Sequence, residues 1–341
     1  MMRVFLFDTA LAWLRAQPSA CADALVTDLS GASSGVRAAW VAGLAQVLAE
    51  ARRVLTPGAA GWVSALPQRS HWTATACEEA GFEVRDVLTH VRPDAAEHWI
   101  LMRAPGPLRA LRIDECRVGI TKSVPRTPPS AENLTYGARP QGAYSGDSDG
   151  YNPNLGRFPA NFALSHAPGC KRQGKKRVKG GGGPTSVVSA SARGGAATNL
   201  VLGQESRKSG YVCTTHRDPD GLEIIEDWSC APGCPVRMLG AQSGKSTSRV
   251  GKPRSAAAGA GWGMRNTGAE YADAGTAARF FHCYPAASAA VLLRQHLCRL
   301  VTPPRGLVLD PFPHSGTTAA AARAEGLRVT GPDLSHDRQQ R

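Results

Sequence analysis

Three aspartates carry the first chemistry that the sequence offers. Asp310 and Asp333 close two short apolar runs within residues 306–335, GLVLDPFPHSGTTAAAARAEGLRVTGPDLS, and Asp28 follows a third, Ala24–Val26 and Thr27. Between Asp310 and the alanine-rich run lies a turn of Pro, Ser and Gly. The pattern is strand, Gly-containing turn, helix, strand, with a carboxylate at the carboxyl end of each strand. In an open parallel sheet those ends are where ligands bind. Carboxylates accept hydrogen bonds from amines and hydroxyls and repel a pyrophosphate. An adenosine carrying an amino acid suits the pair better than a dinucleotide does.

These residues need elements to hold them. Residues 1–105 read as an α/β half. Val4–Phe7 is expected as a short strand and 8–16 as a helix with Leu11 and Leu14 on one face. Ala24–Val26 is a second apolar run. Across 36–55, Trp40, Leu44, Val47, Leu48 and Val54 recur near helical spacing, and Pro57-Gly58 stops that helix. Gly61–Ala65 is a strand, 72–80 a helix closed by Gly81, and 82–91 and 98–102 two strands able to pair. Near the other end, 291–300 is a helix with Leu292, Leu293 and Leu297 on its core face, leading into Leu307–Leu309.

LVLDPFPHSGTT resembles the S-adenosylmethionine-binding motif of DNA amino-methyltransferases, the enzymes that methylate adenine N6 or cytosine N4. The chain keeps Asp310, Pro311, Phe312, Ser315, Gly316, Thr317 and Thr318 of that motif, with Pro313 and His314 where a small residue and a Gly are usual. His314 is the departure that matters, because Gly serves where backbone nears a ligand or takes positive φ. VTDLSGASSG stands where the family carries a TDPPY-type motif. ARRVLTPGAAGWV and ACEEAGFEVRDVLTHV are similar to its next two landmarks. The catalytic-type motif precedes the cofactor motif, as in the circularly permuted, β-type members.

The resemblance implies an α/β, Rossmann-like S-adenosylmethionine-dependent methyltransferase sheet. It would be built from 1–105 and 276–341, with 106–275 as a long, loop-rich, target-recognition-like insert. By the same resemblance Asp310, Phe312, Ser315, Gly316 and Thr317 hold S-adenosylmethionine and Asp333 its ribose. Asp28 faces the target amine, whose lone pair attacks the methyl group once positioned. Adenine N6 is the expected target. The family motif also uses two prolines and an aromatic ring that stacks on a flipped-out base. Here Leu29, Ser30 and Gly31 follow Asp28. Before the 291–300 helix, the family's Lys-bearing strand and HPT-x-KP string shrink to Phe280-Phe281-His282-Cys283-Tyr284-Pro285. Three altered motifs within preserved landmarks leave a second reading open, a DNA-binding descendant with impaired or no catalysis. Asp28 as a strand-end acid capping the next turn is a plainer alternative.

The insert has landmarks of its own. Gly156-Arg157-Phe158-Pro159-Ala160-Asn161 and Gln242-Ser243-Gly244 resemble strings in phage and bacterial DNA adenine methylases. Phe162–Leu164 is a strand. Lys171, Arg172, Lys175, Lys176, Arg177 and Lys179 put six cations into nine residues, a segment able to track DNA phosphates or to remain a solvated loop. His166-x3-Cys170 and Cys230-x3-Cys234 form two ligand pairs for a structural zinc, with Cys116 and Cys213 as competitors; buried free thiols flanking a Pro-Gly turn are the alternative. Gly240–Ser246 is not a P-loop, since three residues instead of four separate its glycines.

Composition sets the frame. A 341-residue chain with 42% hydrophobic residues can bury a full core, and 37 Gly and 24 Pro imply much loop. A net charge of +13 favours a polyanion, and double-stranded DNA is the expected partner. No run of 18 apolar residues occurs, and the first thirteen residues do not read as a secretory signal. Nine cysteines without extracellular context point to reduced thiols or metal, and the expected location is cytoplasmic.

Overall fold

A computed structural model describes residues 4–29, 36–118, 159–179, 222–247 and 274–332. Along the first half run α1 (Val4–Arg15), β1 (Ala24–Thr27), α2 (Arg37–Val54), β2 (Ala60–Ala65), α3 (Ser70–Glu79), β3 (Glu83–Val91) and β4 (Ala96–Arg103). Then come β5 (Phe162–Ser165), β6 (Lys171–Lys179), β7 (Leu222–Ser229), α4 (Pro235–Ser243), β8 (Ser246–Thr247) and β9 (Ala274–Gly275). The last segment holds β10 (His282–Tyr284), α5 (Ala289–Val301), β11 (Leu307–Leu309), α6 (Thr317–Ala324) and β12 (Arg328–Thr330).

Eight strands form one sheet in the order β10-β5-β3-β4-β2-β1-β11-β12. All neighbours are parallel except those of β4, which runs antiparallel to both β2 and β3. The expected α/β architecture with permuted order is therefore present: β11, late in the chain, pairs beside β1, with Leu309 opposite Leu25. Strands this central are covered on both faces, which is why they read as unbroken apolar runs.

The period of two divides the core. Leu25, Val63 and Met102 face a layer holding Leu14 of α1, Leu44 and Leu48 of α2 and Cys77 of α3. Val26, Trp62, Trp99 and Leu101 face the other way, onto Leu293, Leu297 and Leu300 of α5 and Ala322 of α6. Fully burying one such large side chain contributes about 1.5–3 kcal/mol, so the two layers fix the strand ends firmly.

Three expectations need correction. Val4–Phe7 is the first turn of α1 and not a strand; a run of four apolar residues does not distinguish the two. Phe7 meets Trp40 edge-on at 5.3 Å, so this turn closes over α2. Lys171–Lys179 is an ordered strand and not a loop. Its partner β7 brings acidic residues opposite the cations, and Arg172–Glu226 and Lys176–Asp227 pair at 2.7 and 2.6 Å. Finally, β5, from within the segment read as an insert, joins the main sheet between β3 and β10.

Candidate functional site

The crossover from β1 through α2 to β2 departs in one direction, and that from β11 through α6 to β12 in the other. The crevice between β1 and β11 is thus the switch point of the sheet, where ligands of such folds bind. Both described aspartates of the sequence reading lie there. Asp310 directly follows β11, is 1% exposed and accepts a hydrogen bond from Thr27 Oγ1 at 2.7 Å. The Phe312 N–H lies 3.2 Å from the same Asp310 oxygen and from Thr27 Oγ1. Asp310 Oδ2 is buried and makes no hydrogen bond among the described residues. Burial pushes the Asp310 carboxyl up to about 6, against the opposing pull of Thr27, the Phe312 N–H and Thr318.

The turn after Asp310 is built by two residues with left-handed backbone. Gly316 has φ 71°, and a Cβ there would meet nothing within 4 Å. Its N–H donates to Pro313 O at 2.7 Å, and it opens α6 by accepting from the Ala320 N–H. His314 takes φ 37° although it carries a side chain. Positive φ was the reason for a Gly at that place, and the backbone requires it. Ser315 and Thr317 share a 2.7 Å hydroxyl hydrogen bond at the surface of the turn. Phe312 points the other way: it is buried in the core, 5.9 Å edge-on from Phe7. Asp333 lies outside the described residues.

Asp28, one residue past β1, is held by two partners. Ser64 Oγ on β2 donates to Oδ1 at 2.5 Å, and the buried Arg294 of α5 donates to Oδ2. Ser64 Oγ also accepts from the Leu29 N–H at 2.6 Å. Arg294 lies 5.2 Å over the ring of Trp99 and donates to Ala290 O.

A buried network continues from this pair along the α5 face. His90 Nδ1 is 2.8 Å from Glu97 Oε1, and His90 Nε2 is 2.6 Å from Ser165 Oγ. Burial pushes the Glu97 carboxyl up, but His90 and Arg294 more than offset it and hold it below the usual range. At this edge of the sheet each strand from β5 to β1 thus presents a polar group on one face: Ser165, His90, Glu97 (at the start of the antiparallel β4), Ser64 and, just past β1, Asp28. The Ser-His-Glu order resembles a hydrolase triad, but all three side chains are buried, so it braces this edge of the strands. Sequence reading missed Arg294, Ser64 and this network. Their signal was a charge embedded in the Leu-rich α5 pattern and single polar residues in otherwise apolar strands.

The insert residues form a second locus. His166 and Cys170 follow β5, Cys230 and Cys234 join β7 to α4, and their four donor atoms lie within 4.8 Å of one another. The competitor Cys116 is elsewhere, donating to His296 O in the α5 layer; Cys213 lies outside the described residues. On β6, Lys171, Arg172, Lys175, Lys176 and Arg177 are exposed. A cavity of about 730 Å³ opens beside this hairpin, lined by Lys175, Lys176, Arg237 and Arg279 around Trp228 and Phe281. It is separate from the switch point, whose acids do not line it. Gly240–Ser243 is the end of α4, and no strand runs into it, in keeping with rejection of a P-loop.

Comparison with known proteins bears on both loci. A family model described as a DNA methylase matches residues 237–340, from α4 to beyond β12. No curated protein matches the chain. Among solved structures, a protein of Thermus thermophilus assigned as a DNA modification methylase, complexed with S-adenosyl-L-methionine, aligns at 13% identity and TM-score 0.40. That alignment covers 96% of this chain and 89% of that one. PvuII cytosine-N4-specific DNA methyltransferase aligns at 11% and 0.41, over 94% and 78%. The M1.HpyAVI–SAM complex aligns at 11% and 0.36, over 96% and 88%. At such scores the structural likenesses carry no argument of their own. The family match covers residues 237–340, less than half of the chain.

Proposed function

We propose that the chain binds S-adenosylmethionine in the β11–α6 turn and methylates an exocyclic amine of double-stranded DNA, with adenine N6 as the target. The observation that carries this reading is the juxtaposition of two acids at the switch point. Asp310 is bonded to Thr27, and Asp28 is the next residue in the chain. The site suits this cosubstrate chemically. Asp310 Oδ2 is a buried acceptor with no hydrogen bond among the described residues, and Gly316 leaves open space where the turn faces out. When bound, S-adenosylmethionine supplies a methyl group on a sulfonium centre.

The residues of the chain then position the partners. Asp310 accepts from an ammonium group, the backbone at Gly316 admits the ligand, and Asp333 takes a ribose hydroxyl. Asp28 accepts from the amine to be methylated, with Ser64 and Arg294 as positioning residues that hold its carboxylate. Phe312 supports the turn from the core. The exposed cations of β6 and the basic cavity contact DNA phosphates, a sequence-independent contribution.

One observation favours a second reading, a DNA-binding descendant without transfer activity. Both Asp28 oxygens are already engaged, and no aromatic residue follows Asp28 to stack on an extruded base, which forfeits about 1–3 kcal/mol of base binding. Calorimetry with S-adenosylmethionine, run beside transfer of tritiated methyl to duplex DNA, separates the two. Transfer that disappears in Asp28→Ala supports the enzyme. Cofactor binding without transfer supports the descendant, and no binding at millimolar concentration rejects the cofactor site.

A further inference from the structure

His166, Cys170, Cys230 and Cys234 come from one short pattern used twice. His166-Ala-Pro-Gly-Cys170 and Cys230-Ala-Pro-Gly-Cys234 differ only in their first residue. The folded turns match as well. Gly169 and Gly233 are both left-handed, at φ 88° and 73°, where a side chain is strained. In each turn the N–H of the closing Cys donates back to the Ala carbonyl, Cys170 to Ala167 at 3.1 Å and Cys234 to Ala231 at 3.4 Å. Each turn therefore presents two donor side chains from a tight loop. The two loops face each other, so that all four donor atoms lie within 4.8 Å of one another.

The separations discriminate between fates for these groups. His166 Nδ1 is 3.5 Å from Cys230 Sγ and 3.7 Å from Cys234 Sγ. Zinc bonds of about 2.0–2.1 Å to nitrogen and 2.3 Å to sulfur, at tetrahedral angles, require edges of about 3.5–3.8 Å. A disulfide would use two of the three thiols and strand the third beside an imidazole. The Ala231 N–H donates to Cys170 Sγ at 3.2 Å, a bond that favours a thiolate. Trp228 stacks on the His166 ring at 4.0 Å and fixes its orientation. The nearby Cys283 is directed elsewhere, at the carbonyls of Ala278 and Phe281.

We propose that His166 Nδ1 and the thiolates of Cys170, Cys230 and Cys234 bind one zinc ion as a closed, structural Cys3His site. All four positions are filled by protein, so the ion has no open position for catalysis. Its work is mechanical. His166 is anchored in the sheet, its N–H donating to Tyr284 O of β10 at 2.8 Å. Cys230 ends β7 and Cys234 starts α4, an element with no buried side chain apart from its preceding Cys. A hairpin and helix with so little apolar burial lack a core of their own, and a metal supplies the fixation. The zinc therefore staples the basic hairpin and α4 to the edge of the sheet. This inference does not depend on methyl transfer, because its readout is metal content.

The test uses the full chain, purified reduced and without a metal-affinity tag. Mass-spectrometric metal analysis is expected to give one zinc per chain. Cobalt(II) exchanged into the site should show tetrahedral d–d bands with thiolate charge transfer. Cys234→Ser should abolish stoichiometric metal, whereas His166→Cys, which leaves a four-thiolate site, should retain it and shows that loss is not general misfolding. Chelation should expose the β6–β7 segment to protease while the β1–β2–β11 part of the sheet stays protected. A folded chain with no bound metal, or with a disulfide among these cysteines, overturns the proposal.

Discussion

Arg294 of α5 reaches the carboxylate of Asp28 at the end of β1, across 266 residues of sequence. Both side chains are largely shielded from solvent, at 8% and 17% exposure. The pair ties the helix before the cofactor-type turn to the strand that carries the acid. Whatever enters the crevice meets a carboxylate already compensated by a guanidinium.

Removing one partner leaves the other charge buried and uncompensated. Arg294→Met is expected to destabilise the fold by about 3–5 kcal/mol, the scale for breaking a buried pair. The double variant Asp28→Asn, Arg294→Met should recover most of that loss, as read by urea denaturation. Additive losses in the two single variants would show that the pair is not coupled.

Asp310 should set a pH dependence opposite to that of most carboxylates. Its pKa is about 6 in the folded chain, against about 3.9 unfolded. Between those values the folded state holds more protons than the unfolded one, so stability falls as pH rises through the window and levels off above it. Asp310→Asn should flatten this part of the profile. An ammonium-bearing ligand favours the ionised carboxylate, so S-adenosylmethionine should bind more tightly as pH passes 6, and the Asn variant should lose that trend in calorimetry.

His314 occupies a backbone conformation that side chains avoid. Left-handed geometry costs a non-glycine residue roughly 1–2 kcal/mol, partly offset by the greater chain entropy of Gly when unfolded. His314→Gly is therefore expected to stabilise the fold by up to about 1 kcal/mol in thermal denaturation. It should also tighten cofactor binding by baring the turn.

The β6 cations are not equivalent. Lys176 is paired with Asp227, and Lys175 on the neighbouring position lines the basic cavity. Lys175→Ala should weaken duplex DNA binding alike for all sequences and lower the salt slope by about 1. Lys176→Ala should do less, because its charge is already partly neutralised. Fluorescence anisotropy across a salt series measures both.

Most of the sheet was legible in the order of residues. Short apolar runs gave β1, β2 and β11, helical spacing gave α2 and α5, and Gly-bounded segments gave α3 and α6, because burial and turns impose those local patterns. Positive φ at His314 was foreseeable from the Gly it replaces. Val4–Phe7 was misread because four apolar residues fit a helix turn as well as a strand. The β6 strand was misread because its cations conceal a pairing that only β7, far along the chain, supplies.

By itself the sequence determined which residues carry carboxylates, thiols and charge, and which strands would be buried, since these follow from local chemistry and period. Only the tertiary structure decided which of them meet. It brought Arg294 onto Asp28, aligned Ser165, His90, Glu97 and Ser64 into one buried row, and closed two Ala-Pro-Gly turns into a four-donor cluster. Those contacts join segments up to 266 residues apart. The partner of each polar group is set by strand order and helix crossing, which no local spacing encodes.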